Sequence, residues 1–275
     1  MARSIEIIED EEYELPDIEL PEEDGVPLES NWHRAQINLL IDNTKYRWPD
    51  RHDFFAGGNM FIYYSLQQAR NKDYKGPDFF VIKGVDGSLQ RRKWVAWEED
   101  GRLPHVIVEL MSPSTARQDL TSKKTLYQDV FRTAEYFAYN PESLRLYGWR
   151  LQEGGVYAEI ATNPQGRIWS SELQAWIGPW SGEYLRQRDI WLRLFDESGQ
   201  LIPIEAEAER QKVDAQRQRA DAEQQRADAE QQRADAEQQR AEAERQRAET
   251  ERQRAETAEA EIALLRAALA ERTAA

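Results

Sequence analysis

The chain has 275 residues, of which 51 are acidic and 36 basic, so its net charge is −15, and it contains no cysteine. The lack of cysteine excludes disulfides, thiolate metal sites and cysteine nucleophiles. No stretch reaches the roughly 18 consecutive apolar residues of a membrane helix, and the first residues lack the pattern of a signal peptide. We therefore expect a cytoplasmic protein without a membrane partner.

Charge and aromatic content divide the chain into three parts. Residues 1–24 contain eleven acidic residues and one basic residue, and residues 205–275 contain eighteen acidic and thirteen basic residues. Residues 25–204 are neutral and hold every Trp and Phe. We predict an acidic flexible arm, a folded domain and a long charged helix over these three ranges. The composition of the arm is typical of a solubilising tail, and an autoinhibitory mimic of a polyanion is the alternative.

The folded part begins with a predicted helix. Ser30 or Asn31 can cap it, and the apolar residues that follow have helical spacing. His33 lies in the first turn, where a histidine usually has a packing or surface role. The segment DFFAGGNMFIYYSL at 53–66 then predicts a hairpin that turns at its Gly-Gly pair.

Short apolar segments continue through the domain. They predict strands at GPDFFVIKGV, RRKWVAWEEDG, PHVIVEL, AEYFAYNPE, SLRLYGWRL, VYAEIAT, RIWSSEL and IWLRLFDESG. One helix is predicted from about Thr115 to Val130. Strands in sequence with only two clear helices predict an α+β domain with a largely antiparallel or mixed sheet.

The C-terminal part is a repeat of seven residues, QRADAEQ. Its alanines make a poor coiled-coil seam, whereas its strong helix formers and charge pairs at three and four residues favour a long solvated helix. Only near the end do Ala258, Ile262, Leu265 and Leu269 form an apolar seam. This seam predicts a short coiled coil. A homo-oligomer that assembles through the helix or through the folded domain is expected as well.

Two carboxylates interrupt apolar strands and are the first candidates for a functional site. Asp78 opens the strand PDFFVI and Glu109 lies within HVIVEL, so in neighbouring strands both could bind Mg²⁺, which prefers oxygen ligands. Asp119, Lys123 and Tyr127 recur every four residues and would share one helix face. The alternative is a structural ion pair between Glu109 and Lys123, with Asp78 as a strand cap.

These motifs resemble a known family. PD at 77–78, VELMSPST at 108–115 and the acid, lysine and tyrosine at 119–127 are similar to the Uma-type restriction endonuclease family, a branch of the PD-(D/E)XK nuclease superfamily. The resemblance covers about 25–200. It implies a mixed sheet flanked by helices and a phosphodiesterase centre that acts on DNA and depends on Mg²⁺, with Mn²⁺ as the alternative ion.

The resemblance also implies roles for individual residues. Asp78 and Glu109 correspond to the metal-binding acids and Lys123 to the catalytic lysine. The supporting positions, of which the last is a looser match, are Tyr127, Asp119 and His33. The strict superfamily pattern has a lysine two residues after the acid, and here that position is Met111. The lysine is therefore expected from the helix.

A basic cluster at Arg91, Arg92 and Lys93, beside two tryptophans, is the candidate nucleic-acid contact. The alternative is a solvated strand end beside core tryptophans. Lys124 would point about 100° away from Lys123 around a helix, so we assign it to phosphate contact.

Two other hypotheses concern the serines at 112 and 114 and the chain as a whole. Ser112 and Ser114 suggest a serine nucleophile, but no glycine-flanked elbow surrounds them, so they are interpreted as turn residues. The whole chain could also be a non-catalytic, nuclease-like interaction or scaffold protein that assembles through its C-terminal helix.

Overall fold

The computed structural model describes residues 20–22 and 30–273. The chain divides into two compact units, one ending at Glu207 and the other beginning at Ala208. Most of the predicted acidic arm, including residues 1–19, lies outside the described residues.

A six-stranded sheet forms the centre of the first unit, with strand order β1-β3-β5-β6-β7-β8. Its strands are β1 (Phe54–Gly57), β3 (Phe79–Lys83), β5 (Val106–Leu110), β6 (Glu135–Asn140), β7 (Arg145–Leu151) and β8 (Tyr157–Glu159). β5 and β6 are parallel, and the other neighbours are antiparallel. The predicted α+β class with a mixed sheet is therefore confirmed.

Two smaller sheets complete the named strands in the described part of this unit. β9 (Ile168–Ser170), β10 (Ala175–Tyr184) and β11 (Gln187–Phe195) form an antiparallel sheet in the order β11-β10-β9. β2 (Ile62–Tyr63) and β4 (Trp94–Val95) form a short parallel pair.

The α-helices are α1 (Asn31–Arg47), α2 (Leu66–Arg70), α3 (Ala116–Leu120), α4 (Ser122–Asp129) and α5 (Glu205–Thr273). The predicted start of α1 is confirmed, because the Ser30 hydroxyl accepts a hydrogen bond from the His33 amide at 3.2 Å. This bond satisfies one of the free amides of the first turn.

Alternation along β5 explains how the sheet separates two buried layers. Val106, Val108 and Leu110 belong to one core cluster, which includes residues of α1, whereas Ile107 belongs to a second cluster with Tyr127 of α4. Successive side chains of a strand point to opposite faces. Glu109 therefore shares the face of Ile107, on the side where α4 packs.

The predicted hairpin at 53–66 is wrong. β1 pairs with β3, and β2 pairs with β4. After β1 the chain instead runs along the segment that precedes β3, where the Asn59 amide bonds to the Pro77 carbonyl at 2.9 Å. A Cβ on Gly58 would lie 2.2 Å from the Asp78 carbonyl oxygen. Glycine is therefore required here for close passage beside Asp78, and not for a turn between two strands.

Two other predicted elements differ from the structure, and one strand was not predicted. The single helix predicted up to Val130 is two helices, α3 and α4, which meet at Thr121 with φ −124° and ψ −90°. The predicted strand at RRKWVAWEEDG has only two strand residues, followed by a 3-10 turn at Ala96–Glu98. β10 was not predicted, because it contains Pro179 and two glycines. The proline fits because β9 pairs only with Ala175–Ile177, which leaves Pro179 without a neighbour on that side.

A buried carboxylate joins the small antiparallel sheet to the central one. Glu135, at the start of β6, is only 1% exposed. It accepts hydrogen bonds from the Arg150 side chain at 2.9 Å, the Ser171 amide at 2.9 Å, the Glu172 amide at 3.2 Å and the Ser170 hydroxyl. These donors compensate for the loss of hydration of the charge.

We expect Glu135→Gln to lower the free energy of unfolding by about 1–3 kcal/mol, because the amide loses the charge that faces Arg150 and replaces one acceptor with a donor. Urea unfolding followed by circular dichroism measures the change. Glu159→Gln, on an exposed position of β8, is the matched control and should change stability by less than about 0.5 kcal/mol. Equal stabilities of the two variants would contradict the role given to Glu135.

The second unit consists of the remainder of α5, and the predicted long helix is confirmed. Side chains from 209 to 264 are exposed, and pairs four residues apart bond along the surface, such as Gln224 to Asp228 at 2.8 Å. Ile262 and Leu264 are exposed, whereas the side chains of Leu265 and Leu269 lie outside the described residues. Self-association through this end stays a prediction.

None of the helices within residues 20–22 and 30–273 has both the length and the apolar character that a membrane-crossing helix requires.

Candidate active site

Two adjacent strands bring the first pair of carboxylates together. β3 and β5 are antiparallel neighbours with Phe79 opposite Val108, and Asp78 and Glu109 are the next residues along the two chains. Asp78 Oδ2 accepts a hydrogen bond from the Leu110 amide at 2.7 Å. The two strands are therefore neighbours, which a site shared by the two acids requires, and each carboxyl group lies close enough to influence the pKa of the other.

Glu109 is a buried acid of the site, with 1% of its surface exposed. The Tyr127 hydroxyl donates to Glu109 Oε1 at 2.5 Å, and Lys123 Nζ lies 3.0 Å from Oε2. Burial raises the pKa of Glu109 to about 7, because desolvation and the nearby Asp78 together outweigh the attraction of Lys123. The carboxyl group therefore changes protonation state near neutral pH.

Asp119 is the third carboxylate of the site and also forms an ion pair with Lys123. It is fully buried, and Lys123 Nζ lies 2.8 Å from its Oδ1. Burial and the charge of Glu109 raise the pKa of Asp119. Burial lowers the pKa of Lys123, but Glu109 and Asp119 reverse that effect and hold it above its ordinary value. Lys123 is therefore an ammonium ion at neutral pH.

Tyr127 supports Glu109 from the next turn of α4. Its side chain is 1% exposed, and burial together with the Glu109 charge raises its pKa well above the ordinary value. The phenol keeps its proton, so it acts as a hydrogen-bond donor that fixes one oxygen of Glu109.

His33 connects α1 to the same strand end. Its Nε2 lies 3.1 Å from the Leu110 carbonyl oxygen, and its Nδ1 lies 3.0 Å from the Ser30 hydroxyl. The backbone of Leu110 connects His33 to the carboxylates: its carbonyl oxygen contacts His33, and its amide donates a hydrogen bond to Asp78. His33 is thus placed as a support of the strand end.

Two residues next to the predicted site residues have packing contacts. Met111, at the position of the strict-motif lysine, is 3% exposed and belongs to the core cluster on the α4 side of the sheet. Lys124 Nζ lies 4.4 Å from the centre of the Trp149 ring, in cation–π geometry. Of the two adjacent lysines, Lys123 is therefore the one beside the acids.

The predicted nucleic-acid contacts at Arg91, Arg92 and Lys93 are not part of the carboxylate cluster. Arg91 is 7% exposed and bonds to Glu99 at 2.5 Å, and Lys93 donates to the Leu20 carbonyl at 2.7 Å. Arg92 is 82% exposed and lies 3.4 Å from the Glu22 carboxylate. Arg92 thus presents the most accessible charge of the three.

The carboxylate oxygens of the site fit a divalent cation that would also be bound by a substrate. Glu109 Oε2 and both oxygens of Asp119 are buried and accept no hydrogen bond of good geometry from the described residues, although Lys123 is within ion-pair distance. Glu109 and Asp119 share the ammonium group of Lys123, and Asp78 lies within electrostatic range of all three, so one cation faces three carboxyl groups. Among the described residues, no three His, Asp or Glu side chains form a ready metal-binding group. Mg²⁺ often uses only one or two carboxylates together with water and phosphate.

Residues 5–178 match the model of the Uma2 family, described as "Putative restriction endonuclease", and the chain belongs to this family.

Among solved structures, the chain is similar to a protein titled a putative nuclease belonging to DUF820 from Anabaena variabilis ATCC 29413. The two are 12% identical with a TM-score of 0.39, over 54% of this chain and 76% of the other. The comparison with curated proteins found no match.

Proposed function

We propose that the chain is a Mg²⁺-dependent DNA endonuclease that hydrolyses phosphodiester bonds. The observation that carries the proposal is the convergence of Asp78 and Glu109 from adjacent strands beside the ammonium group of Lys123. Membership of an endonuclease family supports the same reaction class.

Asp78 and Glu109 are the residues that would hold the ion, with Mn²⁺ as a functional substitute. The chemistry supplied by a divalent cation in such a site is activation of a water molecule and neutralisation of charge on the phosphate. Tyr127 fixes Oε1 of Glu109, which leaves Oε2 as the oxygen that faces Lys123.

Lys123 has the role of a fixed positive charge. Its raised pKa keeps it protonated, so it is suited to stabilise charge on the phosphate and to orient water, and not to remove a proton. Asp119, at 2.8 Å, is a positioning residue that keeps the lysine beside Glu109.

Incubation of the purified protein with supercoiled plasmid tests the proposed reaction. We expect conversion to the nicked form with Mg²⁺ or Mn²⁺ and no conversion with EDTA. Equal conversion with EDTA, or no conversion with either ion over a range of enzyme concentrations, would contradict the proposal.

The nicking rate should depend on pH in the direction set by Glu109. Because burial raises its pKa to about 7, protons compete with the cation for this carboxylate below that value. We expect the rate at limiting Mg²⁺ to fall about tenfold per unit below pH 7 and to level off above it. Initial rates between pH 5.5 and 8.5 measure the profile. A flat profile across pH 7 would show that Glu109 does not have to ionise.

A further inference from the structure

A groove lies at the end of the sheet away from the carboxylates. It has a volume of about 550 Å³ and is enclosed by the end of α1, the edge strand β1 and the loop after β3. Its described lining residues include the cations Lys45, Arg51, Arg91 and Arg92 and the aromatic residues Trp48 and Phe55, and none of them is an Asp or Glu. The volume is in the range of small-ligand sites, which is about 300–1,000 Å³.

The groove has basic side chains on several sides. Lys45 comes from α1, Arg51 and His52 come from the segment before β1, and Arg91 and Arg92 come from the opposite loop. Arg91 is fixed by its bonds to Glu99, and Arg51 bonds to Asp53 at 2.8 Å.

Lys45 and Arg92 are the cations of the groove with the most freedom to reach a ligand. Lys45 is exposed, and the side chain of Arg92 is 82% exposed, with an ion-pair distance of 3.4 Å to the exposed Glu22. Fixed cations inside the groove and exposed cations at its rim suit a ligand with several negative charges.

Aromatic rings form the floor of the groove. Arg51 lies 4.6 Å from the centre of the Trp48 ring, and Arg91 lies 5.3 Å from the centre of the partly exposed Phe55 ring. Cations and aromatic faces in one groove are the combination that binds phosphate groups and stacks bases.

The groove is separate from the carboxylate cluster. Phe54, which lines it, pairs with Lys83 at the far end of β3, five residues from Asp78. At about 3.3 Å per residue this is about 17 Å along the strand. That length corresponds to about five base pairs of a DNA duplex, so nucleic acid that reaches both places contacts the protein at two separate points.

We propose that this groove is a second nucleic-acid contact, which binds phosphates and a stacked base of a single strand through Lys45, Arg51, Arg92 and Phe55. The identity of the ligand rests on the proposed nuclease function, whereas the charge and aromatic content of the groove do not. A free nucleotide offers the same phosphate and base. The open rim and the cations on opposite walls favour a continuous strand.

Binding of a fluorescein-labelled 20-nucleotide single strand, measured by anisotropy in EDTA, tests the proposal without cleavage. We expect the double variant Lys45→Glu/Arg92→Glu to bind at least about tenfold more weakly than the wild type at 0.1 M salt. Loss of two phosphate contacts should also reduce the steepness of log K against log salt by about 1.4. Lys45→Gln/Arg92→Gln should show a smaller loss in the same direction.

Arg186→Glu/Arg188→Glu is the matched control because it changes the net charge equally; Arg186 lies in the turn between β10 and β11, and Arg188 lies near the start of β11. We expect it to bind as the wild type does, and thermal unfolding of all variants verifies folding. Equal binding by wild type and both groove variants, equal losses in the groove and control variants, or no binding by any form would overturn the proposal.

The source of the phosphate and base is decided by competition with deoxyadenosine monophosphate. A mononucleotide that displaces the strand at equal concentrations would overturn the strand proposal in favour of a free nucleotide. Asp78→Asn separates this inference from the proposed reaction, because it should keep strand binding in EDTA while it loses plasmid nicking. Groove variants that lose binding support the inference even if no form cleaves DNA.

Discussion

Replacement of Lys123 by Met is expected to reduce plasmid nicking by at least about 100-fold, because it removes the fixed cation beside Glu109.

The change also leaves Glu109 and Asp119 buried without their shared partner. We expect the free energy of unfolding at pH 8 to fall by about 2–3 kcal/mol. This is below the 3–5 kcal/mol of a fully buried pair, because Lys123 is 27% exposed and Glu109 can take up a proton.

Lys124→Met is the matched control for Lys123, since the neighbouring lysine contacts the Trp149 ring and not the acids. It should keep nicking within a few-fold of the wild type. The double variant Glu109→Gln/Lys123→Met should recover much of the lost stability and no activity, because it removes charges from both sides of the pair. If Lys123→Met and Lys124→Met nick DNA equally well, the lysine has no role in the reaction.

Replacement of Asp78 by Asn is expected to abolish metal-dependent nicking, with a loss of about 1,000-fold or more. The amide is similar in shape and its oxygen can still accept the hydrogen bond that the Leu110 amide now donates to Asp78. The fold should therefore persist, and the loss should reflect the missing negative charge. Quantified plasmid conversion at saturating Mg²⁺ measures it.

Asp100→Asn is the control for Asp78, because Asp100 is an exposed acid in a turn with a positive φ that Asn also adopts. Its nicking rate should match that of the wild type. Activity of Asp78→Asn at the control level would remove Asp78 from the site, whatever the behaviour of Lys123.

The strand that carries Glu109 could be predicted from sequence because its signals are local. An apolar, β-branched run between two prolines defines β5 almost to the residue. A carboxylate in such a run requires a partner, and spacing by four placed Lys123 and Tyr127 on one side of the following helix. The structure places both residues against Glu109.

The pairing of strands that lie far apart in the sequence could not be predicted from local sequence patterns. The Gly-Gly pair at 57–58 has the sequence of a hairpin turn, whereas Gly58 instead allows the chain to pass close to Asp78, twenty residues later. The end of α3 at Thr121 likewise depends on how the chain packs after β5 and has no Gly or Pro to signal it. The groove could not be predicted from local pattern, because the run KYRWPDRH at 45–52 supplies Lys45 and Arg51 whereas Arg92 comes from a segment forty residues later.

Calorimetric titration of the protein with Mn²⁺ at pH 8, compared with Glu109→Gln, tests the central claim most directly. The variant keeps an acceptor for the Tyr127 hydroxyl but lacks the charge that a cation requires. We predict a saturable heat of binding in the wild type that is absent or at least about tenfold weaker in the variant. Equal affinity in the two proteins, or no binding in either, would contradict a metal-dependent nuclease centre at Asp78 and Glu109.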